Sequence, residues 1–110
     1  MGVCELNKTQ TSGQETVAGG EVRRILGTRV GPSGTHEGFL LRLSNGCDLT
    51  VRVETNVDIT GPVPLSQGEH VTVRGEYEYT SLGGVIHWTH HDQRGRHPGG
   101  YIISNGKVYQ

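Results

Sequence analysis

Three segments of the chain alternate between apolar and polar residues, and this alternation most constrains the fold. It is clearest in residues 70–79, where Val71, Val73 and Tyr77 are separated by polar side chains. Residues 37–43 and 47–54 follow the same period of two. Because successive side chains of a strand point to opposite faces, each segment predicts a strand with one buried and one exposed face.

Composition supports a small all-β fold. Only 32% of the 110 residues are hydrophobic, and 18 are glycine, which predicts many turns around a thin core. A chain of this length suits one domain. We assign residues 1–18 to a mobile polar leader and residues 19–110 to the domain.

The order of the segments predicts a particular β architecture. Residues 21–30, 37–43 and 47–54 form a three-stranded meander, and a Pro/Gly-rich connection at 56–68 leads to the strand at 70–79. A fifth strand follows in residues 85–91, and residues 101–109 form a terminal hairpin. We therefore predict a small five-stranded oligonucleotide/oligosaccharide-binding (OB)-like barrel with an extra C-terminal hairpin and a non-helical connection between strands three and four. A β-sandwich is the alternative.

Both hairpins contain Ser-Asn-Gly, at 44–46 and at 104–106. Pairing Leu43 with Cys47 keeps the apolar faces of the first hairpin together, which predicts a three-residue loop with Gly46 in the left-handed region. The same three-residue loop in the second hairpin, at 104–106, would place Tyr101 opposite Tyr109.

The two cysteines do not form a disulfide framework or a cysteine-rich zinc site. Cys47 falls on the apolar face of its strand, which favours a buried free thiol, and a Cys4–Cys47 bridge is the alternative. There is no 18-residue apolar run, so we expect no membrane span. No signal peptide is visible. This favours the cytoplasm by default and leaves export open if the chain is trimmed.

Residues 83–100 concentrate groups that form sites. This stretch holds four of the six histidines, the single tryptophan, one aspartate and two arginines. If residues 85–91 form a strand, Ile86, Trp88 and His90 share the inner face, while His87 and His91 share the outer one. Trp88 then lies over Gly75 of the preceding strand.

Two runs in this region resemble a known bacterial family. Gly-Gly-Val-Ile-His-Trp-Thr-His-His-Asp at 83–92 and Gly-Arg-His-Pro-Gly-Gly-Tyr-Ile at 95–102 are similar to domain of unknown function 3465, a family with a His-Trp-Thr-His motif. Weaker similarity lies at 34–43, 56–59 and 75–77. The resemblance spans about residue 20 to residue 110. It implies an OB-like fold and no particular activity.

The residues around this stretch divide into two predicted roles. The expected ligand-binding residues are His36, His87, His91, Asp92, Arg94, Arg96 and His97. The expected structural network comprises Asn56, Asp58, Glu76, Trp88 and His90.

A divalent metal such as zinc is a secondary expectation. Imidazole and carboxylate suit such ions, but residues four apart on a strand are separated by about 13 Å. His87 and His91 therefore cannot share one ion without a bulge. A hydrogen-bonded network in which Asp92 orients His90 or His97 is favoured over a metal site.

Charge does not favour nucleic acid as a partner. Ten Lys+Arg against eleven Asp+Glu give a net charge of −1, and a strongly basic domain is thereby excluded. Arg94 and Arg96 are the one dense basic pair in a polar segment. We predict a non-catalytic OB-like module for an oligonucleotide, a sugar or a protein. The alternative is a metal-dependent hydrolase or nuclease that uses the histidine cluster at 87–97.

Overall fold

The computed structural model describes residues 2–44 and 46–110. Within these residues the chain forms seven strands and two short helices. In chain order they are α1 Val3–Lys8, β1 Gln14–Gly31, β2 Gly34–Leu43, β3 Thr50–Asn56, α2 Val57–Thr60, β4 His70–Glu78, β5 Val85–His87, β6 Tyr101–Ser104 and β7 Lys107–Tyr109. Neither helix has the length and apolar character that a membrane span requires.

The first five strands close into a ring. The 18-residue β1 is long enough to pair twice, through residues 14–21 with β4 and through residues 20–31 with β2. β3 pairs with β2, and β5 lies between β3 and β4. The ring therefore runs β1-β2-β3-β5-β4 and back to β1. The predicted all-β fold with five main strands and a terminal hairpin is confirmed.

β5 and β6 occupy the same edge of β4. His87 pairs with Glu76, and Tyr101 pairs with Arg74 only two positions further along β4. Residues 88–100, which we call the 88–100 loop, leave this edge and return to it opposite Gly75. A side chain at Gly75 would collide with the carbonyl oxygen of His87, so glycine is required where the loop begins.

The core lies inside the ring and matches the predicted alternation. Val71, Val73 and Tyr77 of β4 are buried, and their polar neighbours are partly exposed. Phe39 of β2 pairs with Val53 on the adjacent strand β3, and both side chains are fully buried. Burying such side chains stabilises the fold by about 1.5–3 kcal/mol each.

The connection between β3 and β4 begins with one helical turn, α2, and is irregular from residue 61 to 69. The sequence predicts a non-helical connection, and the Pro/Gly-rich part fits that description. The exception has a local cause, because the side chain of Asn56 accepts a hydrogen bond from the Asp58 N–H and caps the turn. Further along, the Val63 N–H donates to the buried Glu37 carboxylate at 3.1 Å.

The predicted pairing of Leu43 with Cys47 is wrong by two residues. Leu41 pairs with Val51 and Phe39 with Val53, and the Leu43 N–H donates to the Leu49 carbonyl. A shift of two leaves the buried face unchanged. The shift frees Cys47 from the strand for its bond to Cys4. Gly46 has the expected positive φ of 88°, while Asn45 of the predicted loop lies outside the described residues.

The terminal hairpin is displaced by one residue from its predicted register. Ile102 pairs with Tyr109, and Ser104 pairs with Lys107. Asn105 and Gly106 both have positive φ, 51° and 76°. This is the two-residue turn that matches the twist of paired strands, and it replaces the predicted three-residue loop.

The segment expected as a polar leader packs against the ring. Residues 14–18 extend β1 along β4, and the Leu6 side chain of α1 is fully buried. Cys4 and Cys47 form a disulfide, which corrects the free thiol predicted for Cys47. The polar composition of residues 1–18 predicted that they would not pack. However, Val3 and Leu6 are spaced to share one face of a helix.

Removing the disulfide is expected to destabilise the fold by about 3–4 kcal/mol, since the bridge joins residues 43 positions apart and restricts the unfolded chain. Urea unfolding of Cys4→Ala/Cys47→Ala against the wild type measures this. Reductant must lower the stability of the wild type and leave the variant unchanged. Equal midpoints for both proteins under oxidising conditions would contradict the bridge.

Candidate functional site

A cleft of about 680 Å³ lies between the ring and the 88–100 loop. The ring supplies Ser33 from the turn between β1 and β2, His36 from the start of β2, and Asn56 from the end of β3. The opposite wall belongs to the loop. The loop residues in this wall include Trp88, His90, Asp92, Arg94, Arg96 and His97.

The structure brings together five of the seven residues predicted to bind ligand. His36, Asp92, Arg94, Arg96 and His97 all line the cleft. The other two do not line it. His91 is exposed outside the cleft, and His87 belongs to β5 and faces a different cavity.

Trp88 was predicted to lie inward, and this is wrong. The regular strand ends at His87, and Trp88 has a positive φ of 53°. This reverses the expected alternation, so the indole is 41% exposed and the next residue, Thr89, is fully buried. The Thr89 methyl, rather than the indole, occupies the space beside Gly75. The alternation of apolar and polar residues does not indicate where a backbone φ angle becomes positive, so this reversal could not be predicted from it.

Trp88 stacks on His97 in the wall of the cleft. Their ring centroids are 4.5 Å apart and their planes differ by 10°. His97 also meets the edge of His90, with centroids at 5.4 Å. His90 is buried, as the sequence predicts. The cleft therefore presents an aromatic surface supported by a second and a third ring.

Asp92 holds the loop that carries His97. Its carboxylate accepts hydrogen bonds from the backbone N–H groups of Arg94, Arg96 and His97. These bonds, led by that from Arg94, lower the pKa of Asp92. Because its carboxylate binds three backbone N–H groups, Asp92 anchors the conformation of the loop.

Three histidines of the cleft share one orientation. The Nδ1 atoms of His36, His90 and His97 face the carbonyl oxygens of Gly34, His91 and Pro98, at 3.2, 2.8 and 2.8 Å. A carbonyl oxygen only accepts, so each Nδ1 carries the proton. Each Nε2 then offers a lone pair when the ring is neutral. Burial lowers the pKa of His90, which favours its neutral form.

The arginines of the 88–100 loop differ from those of the strands. Arg52 lies 2.6 Å from Glu54, and Arg74 lies 3.2 Å from Glu15. Within residues 2–44 and 46–110, neither Arg94 nor Arg96 forms an ion pair with a carboxylate. Arg52 and Arg74 thus belong to a mixed-charge surface, while the loop arginines remain available to a ligand.

Asn56 and Asp58 fasten the turn at the other side of the cleft. The Asn56 amide donates to the Ser33 carbonyl at 3.0 Å, and the Asp58 carboxylate accepts from the Thr35 N–H at 2.9 Å. These bonds join the end of β3 to the turn between β1 and β2. The contacts are of the kind expected for a structural network.

His87 faces Glu76 and Glu78 of β4. Its Nε2 atom lies 3.5 Å from a Glu76 oxygen and 3.3 Å from a Glu78 oxygen. In the described part of the chain, this is the one group of three metal-ligating side chains whose ligand atoms lie within 4.8 Å of one another. Glu78 was missed from the sequence. The observed register, in which Tyr77 pairs with Ile86, places Glu78 beside His87.

Stability should fall as the pH drops below about 6.5, because the pKa of His90 in the folded state lies below its usual value of 6.5. Below this pH, His90 binds a proton more readily in the unfolded chain than in the folded one. The free energy of unfolding therefore falls by up to about 1.4 kcal/mol per pH unit. His90→Gln should flatten the slope measured by urea unfolding between pH 7 and 5. His91→Gln, at the exposed neighbour, should keep the wild-type slope; equal slopes in all three proteins exclude the effect.

Asp92→Ala should release the 88–100 loop and shift the emission of Trp88, the single tryptophan, to longer wavelength. The pKa of Asp92 is lowered from 3.8, so its contribution is present above that pH and is lost as the pH falls through the lowered pKa. The wild type should therefore show the same shift in acid. Gln93→Ala, next to the anchor, serves as the control, and an unshifted Asp92→Ala spectrum would refute the anchor role.

The chain was compared with known proteins. No match was found among the curated proteins or among the solved structures. The family described as "Protein of unknown function (DUF3465)" matches residues 4–110. This match includes α1 apart from its first residue, all seven strands and the 88–100 loop. The chain therefore belongs to the DUF3465 family, as the runs at 83–92 and 95–102 predict.

Proposed function

We propose that this protein is a non-catalytic binding module of OB-like fold that holds a short single-stranded oligonucleotide in the cleft beside the 88–100 loop. The observation that carries the proposal is the exposed stack of Trp88 on His97, in a cleft that Arg94 and Arg96 also line. Stacking on an aromatic side chain binds any base, and arginines neutralise the phosphates that link the bases.

The order of the strands supports the OB-like assignment. OB barrels are five-stranded, and they bind ligands on the face of strands 2 and 3 and on nearby loops, including that between strands 1 and 2. Here His36 lies at the start of β2 and Asn56 at the end of β3. Ser33 lies in the turn between β1 and β2. The ring side of the cleft is thus built from the elements that this class of fold uses, which supports the proposal.

The net charge of −1 does not exclude a nucleic acid ligand, because the position of the charges matters more than their sum. Single-stranded nucleic acid requires a local basic groove, whereas the charge of the whole domain mainly affects long-range attraction. Arg94 and Arg96 supply local positive charge in the lining of the cleft. A neutral sugar would also stack on Trp88 but has no negative charge for these arginines to neutralise, so the ligand is proposed to be anionic.

The alternative of a hydrolase that holds its metal ion among the cleft residues loses support. In the part of the chain that the structure describes, no three metal-ligating atoms of His36, His90, Asp92 and His97 come within 4.8 Å of one another. The carboxylate of Asp92 is already engaged by backbone donors. A metal-activated water requires converging ligands, and these residues do not converge.

Fluorescence anisotropy with a labelled oligo-dT strand tests the proposal. Trp88→Ala should weaken binding about 5- to 150-fold, which corresponds to the loss of one stacked base at about 1–3 kcal/mol. Arg94→Ala/Arg96→Ala should reduce the dependence of log affinity on log salt by about 1.4, because each phosphate that an arginine neutralises contributes about 0.7 to this slope for a single strand. The emission of Trp88 should be quenched in the complex.

Arg23→Ala/Arg24→Ala, which removes two exposed arginines of β1 outside the cleft, is the matched control and should bind like the wild type. Absence of binding at low salt would refute the proposal, as would equal salt dependence in the two double variants. A neutral oligosaccharide that quenches Trp88 and is indifferent to the loop arginines would assign the cleft to sugars instead.

A further inference from the structure

We propose that Glu76, Glu78 and His87 bind one first-row divalent cation of the Zn²⁺ type. The two glutamates lie two positions apart on the same face of β4, and His87 of β5 pairs directly with Glu76. Three ligands thus come from two adjacent, hydrogen-bonded strands. None of the three ligands lines the cleft, so this inference does not depend on the proposed oligonucleotide binding.

The distances match those of a metal site. With bonds of about 2.0–2.2 Å to nitrogen and oxygen, tetrahedral geometry places neighbouring ligand atoms about 3.3–3.6 Å apart. The Nε2 atom of His87 lies 3.3 Å from the Glu78 oxygen and 3.5 Å from the Glu76 oxygen. An ion therefore requires only small side-chain rotations. Imidazole with carboxylates suits Zn²⁺ and its neighbours, whereas Mg²⁺ and Ca²⁺ prefer oxygen ligands alone.

The charge of the cluster favours a cation. Glu15, Glu21 and Glu54 of the ring each lie beside an arginine. Among the residues that the structure describes, Glu76 and Glu78 have only His87 as a cationic partner. Burial, followed by the neighbouring Glu78, raises the pKa of Glu76. A divalent ion removes this unbalanced negative charge by direct coordination.

A cavity beside the cluster leaves room to complete the coordination. It has a volume of about 480 Å³ and is lined by Glu78 and His87 on one side and by Arg29 and Ser33 on another. With three protein ligands, a fourth position is left to water or to an exogenous ligand. The ion would therefore be accessible from solvent and would differ from a closed structural zinc site.

Isothermal titration of the chelator-treated protein with ZnCl₂ tests the site. The wild type should bind one ion per chain, which native mass spectrometry counts independently. Glu76→Gln, Glu78→Gln and His87→Gln should each weaken binding at least about tenfold, since each removes a ligand and changes even in the supporting shell weaken metal binding by about 10- to 100-fold. Added zinc should raise the melting temperature of the wild type and have little effect on the variants.

His70→Gln provides the matched control, because it removes an exposed imidazole from the same strand as the glutamates. It should retain wild-type zinc affinity. No uptake of zinc by the wild type at millimolar concentration would overturn the proposal. Wild-type affinity in all three ligand variants would also overturn it, since the ion would then bind elsewhere. Far-UV circular dichroism of each variant verifies that the ring is intact, so weakened binding reports on the ligands.

Discussion

The architecture depends on how one edge of β4, the edge away from β1, is divided between β5 and β6. β1 covers one edge along almost the whole strand, while β5 and β6 share the other. Their division falls opposite Gly75, where the absence of a side chain lets the backbone turn away. The ring closes through β5, and the chain still continues to the terminal hairpin through β6. The 88–100 loop is therefore an insertion whose two ends are held only two β4 positions apart.

Both candidate sites follow from this division. His87 is the last residue in register with β4, and its side chain stays with the glutamates of that strand. Trp88 is the first residue out of register, and its side chain lines the cleft, where its ring lies 4.8 Å from the ring of His87. Two adjacent residues thus serve two neighbouring surfaces. The hydrogen bond from Thr89 to the Glu54 carbonyl keeps the base of the loop close to β3, so the division is held from both neighbouring strands.

Much of the fold was predictable from residue patterns, and the errors have physical causes. Alternation located the buried faces of β2, β3 and β4, because burial acts on every second residue. Register was less certain, since a shift of two residues preserves the faces. The disulfide decided the first hairpin, and the turn at Asn105 and Gly106 decided the second. In the cleft, residue types predicted which groups gather, whereas the outward Trp88 depends on one backbone angle that the pattern does not record.

The Cys4–Cys47 bridge also links the architecture to its chemical surroundings. It joins α1 to the segment between β2 and β3, which lies beyond the ring itself. Such bonds persist where thiols are oxidised and are rare where glutathione keeps them reduced. In a reducing compartment, α1 would be held by the burial of Leu6 and by the hydrogen bond from Asn7 to the Tyr77 hydroxyl. The ring and both sites contain no cysteine, so the redox state of the compartment would govern the attachment of the N-terminal helix and leave the ligand-bearing surfaces chemically unchanged.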